Sequence, residues 1–232
     1  MELNDLTQGL QEKLGDRLLS IVLYGSAACT EHKDKRSDLN IIVVISSMGI
    51  DVLKPLASTI RKWRRAGNPS PLFFTPDRIK NASDIFPIEY HDIQKCNRVL
   101  YGTDLFASLI IDKRNLRHQC ESELRGKILF IESQGSILTD KPKKLIELML
   151  ISFSSIGAVM RGIIRLMGDE PSASRRANIE HLTRYIDFLP EPFYTILDAR
   201  EGKIKISKSD ACKLFDDYLT SLERITNFVD KL

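Results

Sequence analysis

The chain has 232 residues, 43% of them hydrophobic and 28% charged, enough apolar material for a buried core and too much for a disordered chain. Its 34 Lys and Arg against 31 Asp and Glu leave a net charge of +3. That is too little to argue for nucleic-acid binding from bulk charge, though anionic small molecules remain open as ligands.

The chain opens Met1-Glu2-Leu3-Asn4-Asp5, without a basic start and apolar run, so no signal peptide is expected. Residues 6–14 have helical periodicity and Gly15-Asp16 ends them. Ile21-Val22-Leu23-Tyr24 is a short β-rich run that stops at Gly25-Ser26. Residues 37–45, SDLNIIVVI, form the clearest strand, β-branched and nearly all apolar after Asn40. Residues 51–65 predict an amphipathic helix with Pro55 tolerated near its start and Gly67-Asn68-Pro69 closing it. Residues 71–74 predict a strand, 76–82 a short helix and 86–93 a further strand. Helices alternating with short apolar strands argue an α/β or α+β domain around a mixed central sheet.

After about residue 113 the character changes. Residues 116–133, 141–168, 175–188 and 207–231 read with helical period, with Pro190-Glu191-Pro192 as a stop and Ser207 to Asp210 as a helix start carrying Ser or Asp caps. The prediction is an α/β domain over residues 1–113 followed by an all-α helical bundle over 114–232. The longest apolar stretch, 145–167, is broken by Glu147, Ser152, Ser154, Ser155, Arg161 and Arg165, so it reads as a buried amphipathic helix and no membrane association is expected. The four cysteines, Cys29, Cys96, Cys120 and Cys212, form no C-x-x-C pair and have no histidine at zinc spacing. They read as free thiols in a reducing cytoplasm.

The segment that carries chemistry is Leu23-Tyr24-Gly25-Ser26, ten residues from Ala27 to Arg36, then Ser37-Asp38-Leu39-Asn40-Ile41. A strand that ends at Gly-Ser and turns into a helix exposes backbone N–H groups, lets a phosphate approach closely at glycine, and adds the serine hydroxyl as a donor. On the next strand Asp38 and Asn40 lie two residues apart and share a face. A carboxylate there is where Mg²⁺ would bridge protein and nucleotide.

This arrangement resembles the signature of the polymerase-β-like nucleotidyltransferase superfamily. An amino-terminal domain of this kind followed by helices resembles the aminoglycoside nucleotidyltransferases and the minimal nucleotidyltransferases. The motif covers about 20 residues, and with the order of elements the likeness extends over about the first 110. The resemblance implies that Gly25 and Ser26 hold the triphosphate of an NTP, that Asp38 and position 40 bind Mg²⁺, and that a third acid on a later strand completes the site. Glu89, in the predicted strand 86–93, resembles the acid that takes the proton of an acceptor hydroxyl. Asp92, on the opposite face, is its competitor. The implied reaction moves a nucleoside monophosphate from an NTP to a hydroxyl of a small molecule or protein, with the acceptor between the domains.

Position 40 departs from that pattern. The family carries Asp or Glu there and this chain carries Asn, whose carbonyl can ligate a hard cation but brings no charge. Three consequences compete: a one-metal or slow enzyme, a nucleotide-binding protein without turnover, or a fold kept for contact with a protein partner or a second copy of the chain.

Other features have plainer readings. Arg61-Lys62-Trp63-Arg64-Arg65 places Ile60 and Trp63 at helical spacing, so the aromatic packs inward and the cations face solvent rather than nucleic acid. Lys33, Lys35 and Arg36 lie in the gap before Asp38, within reach of phosphates or simply solvated. His91 would share a face with Glu89 on a strand. Arg117, Glu121 and Arg125 recur every four residues as ion pairs on a helix face, worth roughly a few tenths of a kcal/mol each, unless that face meets an acceptor.

Overall fold

Leucines at 6, 10 and 14 give one buried stripe along a short amphipathic stretch, and that stretch is helix α1, Leu3–Leu14. The computed structural model describes residues 1–29 and 38–232. It separates into two units, Met1–Ile111 and Asp112–Leu232, each described by itself.

In the first unit a single 3₁₀ turn, Gly15–Arg17, leads from α1 into β1, Leu18–Tyr24. One turn of helix follows, α2, Ser26–Cys29. Then come β2, Asn40–Ile45, α3, Ile50–Arg65, β3, Leu72–Phe74, and α4, Pro76–Asn81. The unit closes with α5, Pro87–Lys95, and β4, Asn97–Gly102. The four strands form one mixed sheet in the order β3-β2-β1-β4. β1 is antiparallel to both β2 and β4, while β2 and β3 are parallel, joined through α3.

The continuous apolar runs in β1 and β2 are explained by burial on both faces. Ile21, Leu23, Ile41, Val43 and Ile45 face a cluster with Leu6, Leu10, Leu56 and Trp63 from α1 and α3. Val22, Ile42 and Val44 face a second cluster with Ile79, Tyr90, Ile93 and Phe106. Trp63 is fully buried and its indole N–H donates to the Pro69 carbonyl at 2.8 Å, while Arg61, Lys62, Arg64 and Arg65 are exposed.

Two sequence expectations are corrected here. Residues 86–93 are not a strand: Pro87 starts α5, and Pro87, Tyr90 and Ile93, three residues apart, are buried along it. The alternation of Phe86, Ile88 and Tyr90 imitates a strand over one short stretch, but proline at the first turn of a helix fits there without losing a hydrogen bond. The fourth strand instead is β4, directly after α5, and it forms an edge of the sheet. The strand expected from Ser37 begins at Asn40; Asp38 and Leu39 precede it, and Ser37, like Lys33, Lys35 and Arg36, lies outside the described residues.

The second unit is all helix: α6, Lys113–Ser136, α7, Pro142–Leu166, α8, Arg175–Leu182, α9, Glu191–Arg200, and α10, Ala211–Asp230. α7 is its centre and packs against each of the other four. By length and composition α7 is apolar enough to cross a membrane, with mean hydropathy 1.5 over an 18-residue window of which half is buried in the protein. Its charges, Lys143, Lys144, Glu147, Arg161 and Arg165, stand towards its ends, so the middle is more apolar than the polar interruptions suggest. The Pro190-Glu191-Pro192 segment is not only a stop. It opens α9, with Pro192 in the first turn. Ser174 caps α8 by accepting from the Ala177 N–H at 3.3 Å, whereas Asp210 precedes α10 without a side-chain cap bond.

Candidate functional site

β1 ends where Gly25 takes φ +81°, a left-handed conformation that glycine adopts without a Cβ penalty. The turn is held from two sides. The Gly25 N–H donates to the Cys96 carbonyl at 3.0 Å, and the Gly25 carbonyl accepts from the Ala28 N–H at 2.9 Å, closing the single turn of α2. The Gly25 amide is therefore already used, and an incoming phosphate would meet the backbone from Ser26 onward and the exposed Ser26 side chain.

Next to this turn stands Asn40. It is paired in register with Tyr24, the last residue of β1. Its amide nitrogen lies 3.5 Å from the point where a Cβ on Gly25 would sit. Asn40 is half-buried and Asp38, two residues before it and outside the strand, is exposed. The antiparallel pairing of β1 and β2 thus brings Gly25 and Asn40 side by side, with Asp38 at the entry to β2. Among the described residues no group of three His, Cys, Asp or Glu side chains converges as a metal site.

Among the described residues the third acid has no place on the sheet. β3, the strand beside β2, carries Leu72, Phe73 and Phe74, and β4 carries Asn97, Arg98, Val99, Leu100, Tyr101 and Gly102. Glu89 is exposed in the first turn of α5, Asp92 follows it on the same helix, and His91 does not share its face, because residues two apart on a helix point away from each other.

The structure also joins two residues that the sequence reading left apart. Cys29, the last residue of α2, and Cys96, the residue before β4, form a disulfide with Cα atoms 5.0 Å apart. Cys120 and Cys212 are free thiols. The expectation of four free thiols fails for the first pair, because the pairing of Tyr24 with Asn97 brings the segments after β1 and before β4 together. With it goes the composition argument for a reducing compartment.

In the helical unit, Arg117 and Arg125 both pair with Glu121, at 3.0 and 2.8 Å, and Arg117 also reaches the Val229 carbonyl of α10, so this triad ties helices together. The helical unit also gathers cations: burial first, and then Arg200 and Arg161 nearby, hold the basicity of Arg175 on α8 below the ordinary value. No sequence spacing signals it, since the three come from α7, α8 and α9.

No family model matches the chain, and no curated protein matches it. Among solved structures it is similar to spectinomycin adenyltransferase AAD(9) from Enterococcus faecialis, crystallised with ATP and spectinomycin. The TM-score is 0.59 at 13% identity, over 98% of each chain. At that identity the likeness is one of fold: the chain has a nucleotidyltransferase fold, α+β, with a mixed four-stranded sheet followed by helices.

Proposed function

We propose that this chain binds a nucleoside triphosphate with Mg²⁺ at the Gly25–Ser26 turn and transfers its nucleoside monophosphate slowly to a hydroxyl of a small-molecule or protein acceptor. The observation that carries this reading is the juxtaposition of the Gly25 turn with Asn40, with Asp38 two residues before it. The turn that Gly25 shapes holds phosphate through Ser26 and the backbone that follows, Asp38 is the charged metal ligand, and the Asn40 carbonyl is the neutral one. Mg²⁺ would supply charge neutralisation on the triphosphate. The ATP and spectinomycin bound by the structural neighbour support a nucleotide donor and favour a small-molecule acceptor.

In this reading Glu89 accepts the proton of the acceptor hydroxyl. General-base assistance contributes roughly 10²–10⁴ in rate, so Glu89→Gln should slow transfer by about that range while leaving nucleotide affinity alone.

A second reading, nucleotide binding without turnover, is favoured by one specific observation: neither β3 nor β4 offers an acid. There Glu89 serves only the amino-terminal end of α5, where a carboxylate near the helix dipole is worth about 0.3–1 kcal/mol.

Calorimetric titration with ATP, GTP, CTP and UTP, with and without Mg²⁺, on the wild type and on Asp38→Ala, tests the shared part of both readings. Mg²⁺-dependent binding lost in Asp38→Ala supports them; no binding to any nucleotide rejects them. Pyrophosphate release in the presence of an acceptor panel, compared between wild type and Glu89→Gln, then separates turnover from binding alone.

A further inference from the structure

We propose that the Cys29–Cys96 disulfide is a reversible redox latch on the Gly25–Ser26 turn, so that the grip of that turn on a nucleotide follows the thiol–disulfide state of the protein. The inference rests on the nucleotide reading of this turn and adds a form of regulation to it. Two connections meet at Cys96. Its carbonyl accepts the Gly25 N–H at 3.0 Å, and its sulfur is bonded to Cys29 at the end of α2. Both ends of the five-residue segment from Gly25 to Cys29 are therefore fastened to the same residue, one by a hydrogen bond and one covalently.

Reduction removes the covalent fastening only. The ladder between β1 and β4, with Tyr24 opposite Asn97 and Leu23 opposite Arg98, does not depend on the disulfide. It keeps Tyr24 beside Asn97, so a freed Cys29 stays on a five-residue tether from a fixed point next to Cys96 and the bond can re-form. α2 is a single turn, and one turn of helix is marginal without outside support. Cutting its link to Cys96 frees its carboxy-terminal end while the Gly25 hydrogen bond still holds the other.

The bond is also within reach of a reagent. Cys29 is exposed and Cys96 half-buried, whereas the other two cysteines lie elsewhere, Cys120 buried and Cys212 exposed with its thiol near the Thr139 carbonyl. The exchange balances with a small-molecule thiol and its disulfide. A thiolate attacks the exposed Cys29 sulfur, the Cys96 sulfur leaves as thiolate, and a second thiol resolves the mixed disulfide. The products are two protein thiols and one small-molecule disulfide, and oxidation runs the same steps in reverse.

The oxidised protein has the turn preorganised and should bind Mg²⁺–nucleotide roughly three- to tenfold more tightly than the reduced protein. The test uses the full chain in the Cys212→Ser background, oxidised with oxidised glutathione or reduced with dithiothreitol, with the thiol state read by alkylation and mass. Two quantities are measured in each state: nucleotide affinity, and amide hydrogen exchange in residues 26–29. Faster exchange and weaker binding on reduction are expected, and Cys29→Ser and Cys96→Ser should reproduce the reduced state under either condition. Unchanged exchange and affinity in protein shown to be reduced would overturn the latch, as would failure of Cys29 and Cys96 to join under oxidation. If no nucleotide binds in either state, the nucleotide reading falls and takes control of nucleotide binding with it. The exchange data then still decide whether α2 is latched.

Discussion

Asn40 and Gly25 meet across the β1–β2 pair: the Asn40 amide nitrogen lies 3.5 Å from the position a Gly25 Cβ would occupy. The departure from the resembled pattern is therefore at the Gly25–Ser26 turn itself, beside the residue that gives the turn its shape. A carboxamide there can offer either an N–H to a phosphate or a carbonyl to a cation. A carboxylate could offer only the second.

Asn40→Asp reads out that difference. A carboxylate about 4 Å from a divalent cation gains ~2 kcal/mol even at the dielectric of water, roughly thirtyfold in affinity. Mg²⁺-dependent nucleotide binding should tighten by about that factor. Binding without Mg²⁺ should weaken, because the added charge then faces the triphosphate alone. Calorimetry under both conditions checks the pair of signs. Equal changes with and without the metal would place the cation away from position 40.

Gly25→Ala separates strain from space. The nearest atom to a new Cβ is at ordinary van der Waals distance, so no clash opposes the methyl group. The φ of +81° does oppose it, at a cost of about 1–2 kcal/mol for an L-residue in the left-handed region. Urea denaturation should show a loss of that size. Nucleotide affinity should fall as well, since a relaxed turn moves Ser26. A variant as stable as the wild type would mean that the turn gives way without resistance.

Much of this was legible in the residues and some was not. β1 and β2 announce themselves because both their faces are buried, which forces unbroken apolar runs such as Asn40–Ile45. β4 does not, because it is an edge strand: Arg98 and Tyr101 are exposed and nothing compels an apolar pattern. Missing β4 hid the Cys29–Cys96 pair, whose partners are 67 residues apart and meet only through the β1–β4 ladder. It also made the segment around Glu89 look like the sheet's last strand. The turn at Gly25-Ser26 and its neighbour at position 40 were visible because adjacent strands and a short gap define them locally. The arginines around Arg175 were not, because three separate helices supply them.

Tyr90 offers a test inside the first unit. Its side chain is 2% exposed and packs edge-on against Phe106 with ring centroids 5.4 Å apart. Among the described residues its hydroxyl is the buried side-chain polar atom with no hydrogen-bond partner. An unsatisfied buried hydroxyl costs about 1–3 kcal/mol relative to one that is paired. Tyr90→Phe keeps the ring and removes the cost, so stability should rise by about 1 kcal/mol. Chemical denaturation followed by Trp63 fluorescence measures it, and a destabilised variant would show that the hydroxyl has a partner after all.

Acid should act first on the carboxylates that hold the helical unit together. Asp169 accepts from the Tyr185 hydroxyl and meets His181 Nε2, both at 2.9 Å. The Tyr185 bond, then His181, holds its carboxyl below the ordinary range. Glu121 is lowered by Arg125 and then Arg117, and Asp198 chiefly by Arg176. A carboxylate whose pKa is depressed by folding stabilises the native state above its unfolded value, and that contribution is lost as pH falls through the folded one. Stability should therefore hold between pH 7 and about 4, then drop as these groups protonate. In Asp169→Asn the contribution is absent at every pH. The variant should be less stable than wild type near neutrality and converge with it in acid. Urea midpoints from far-UV circular dichroism between pH 2 and 7 give the comparison, and two curves that run parallel to the acid end would show that Asp169 does not carry this dependence.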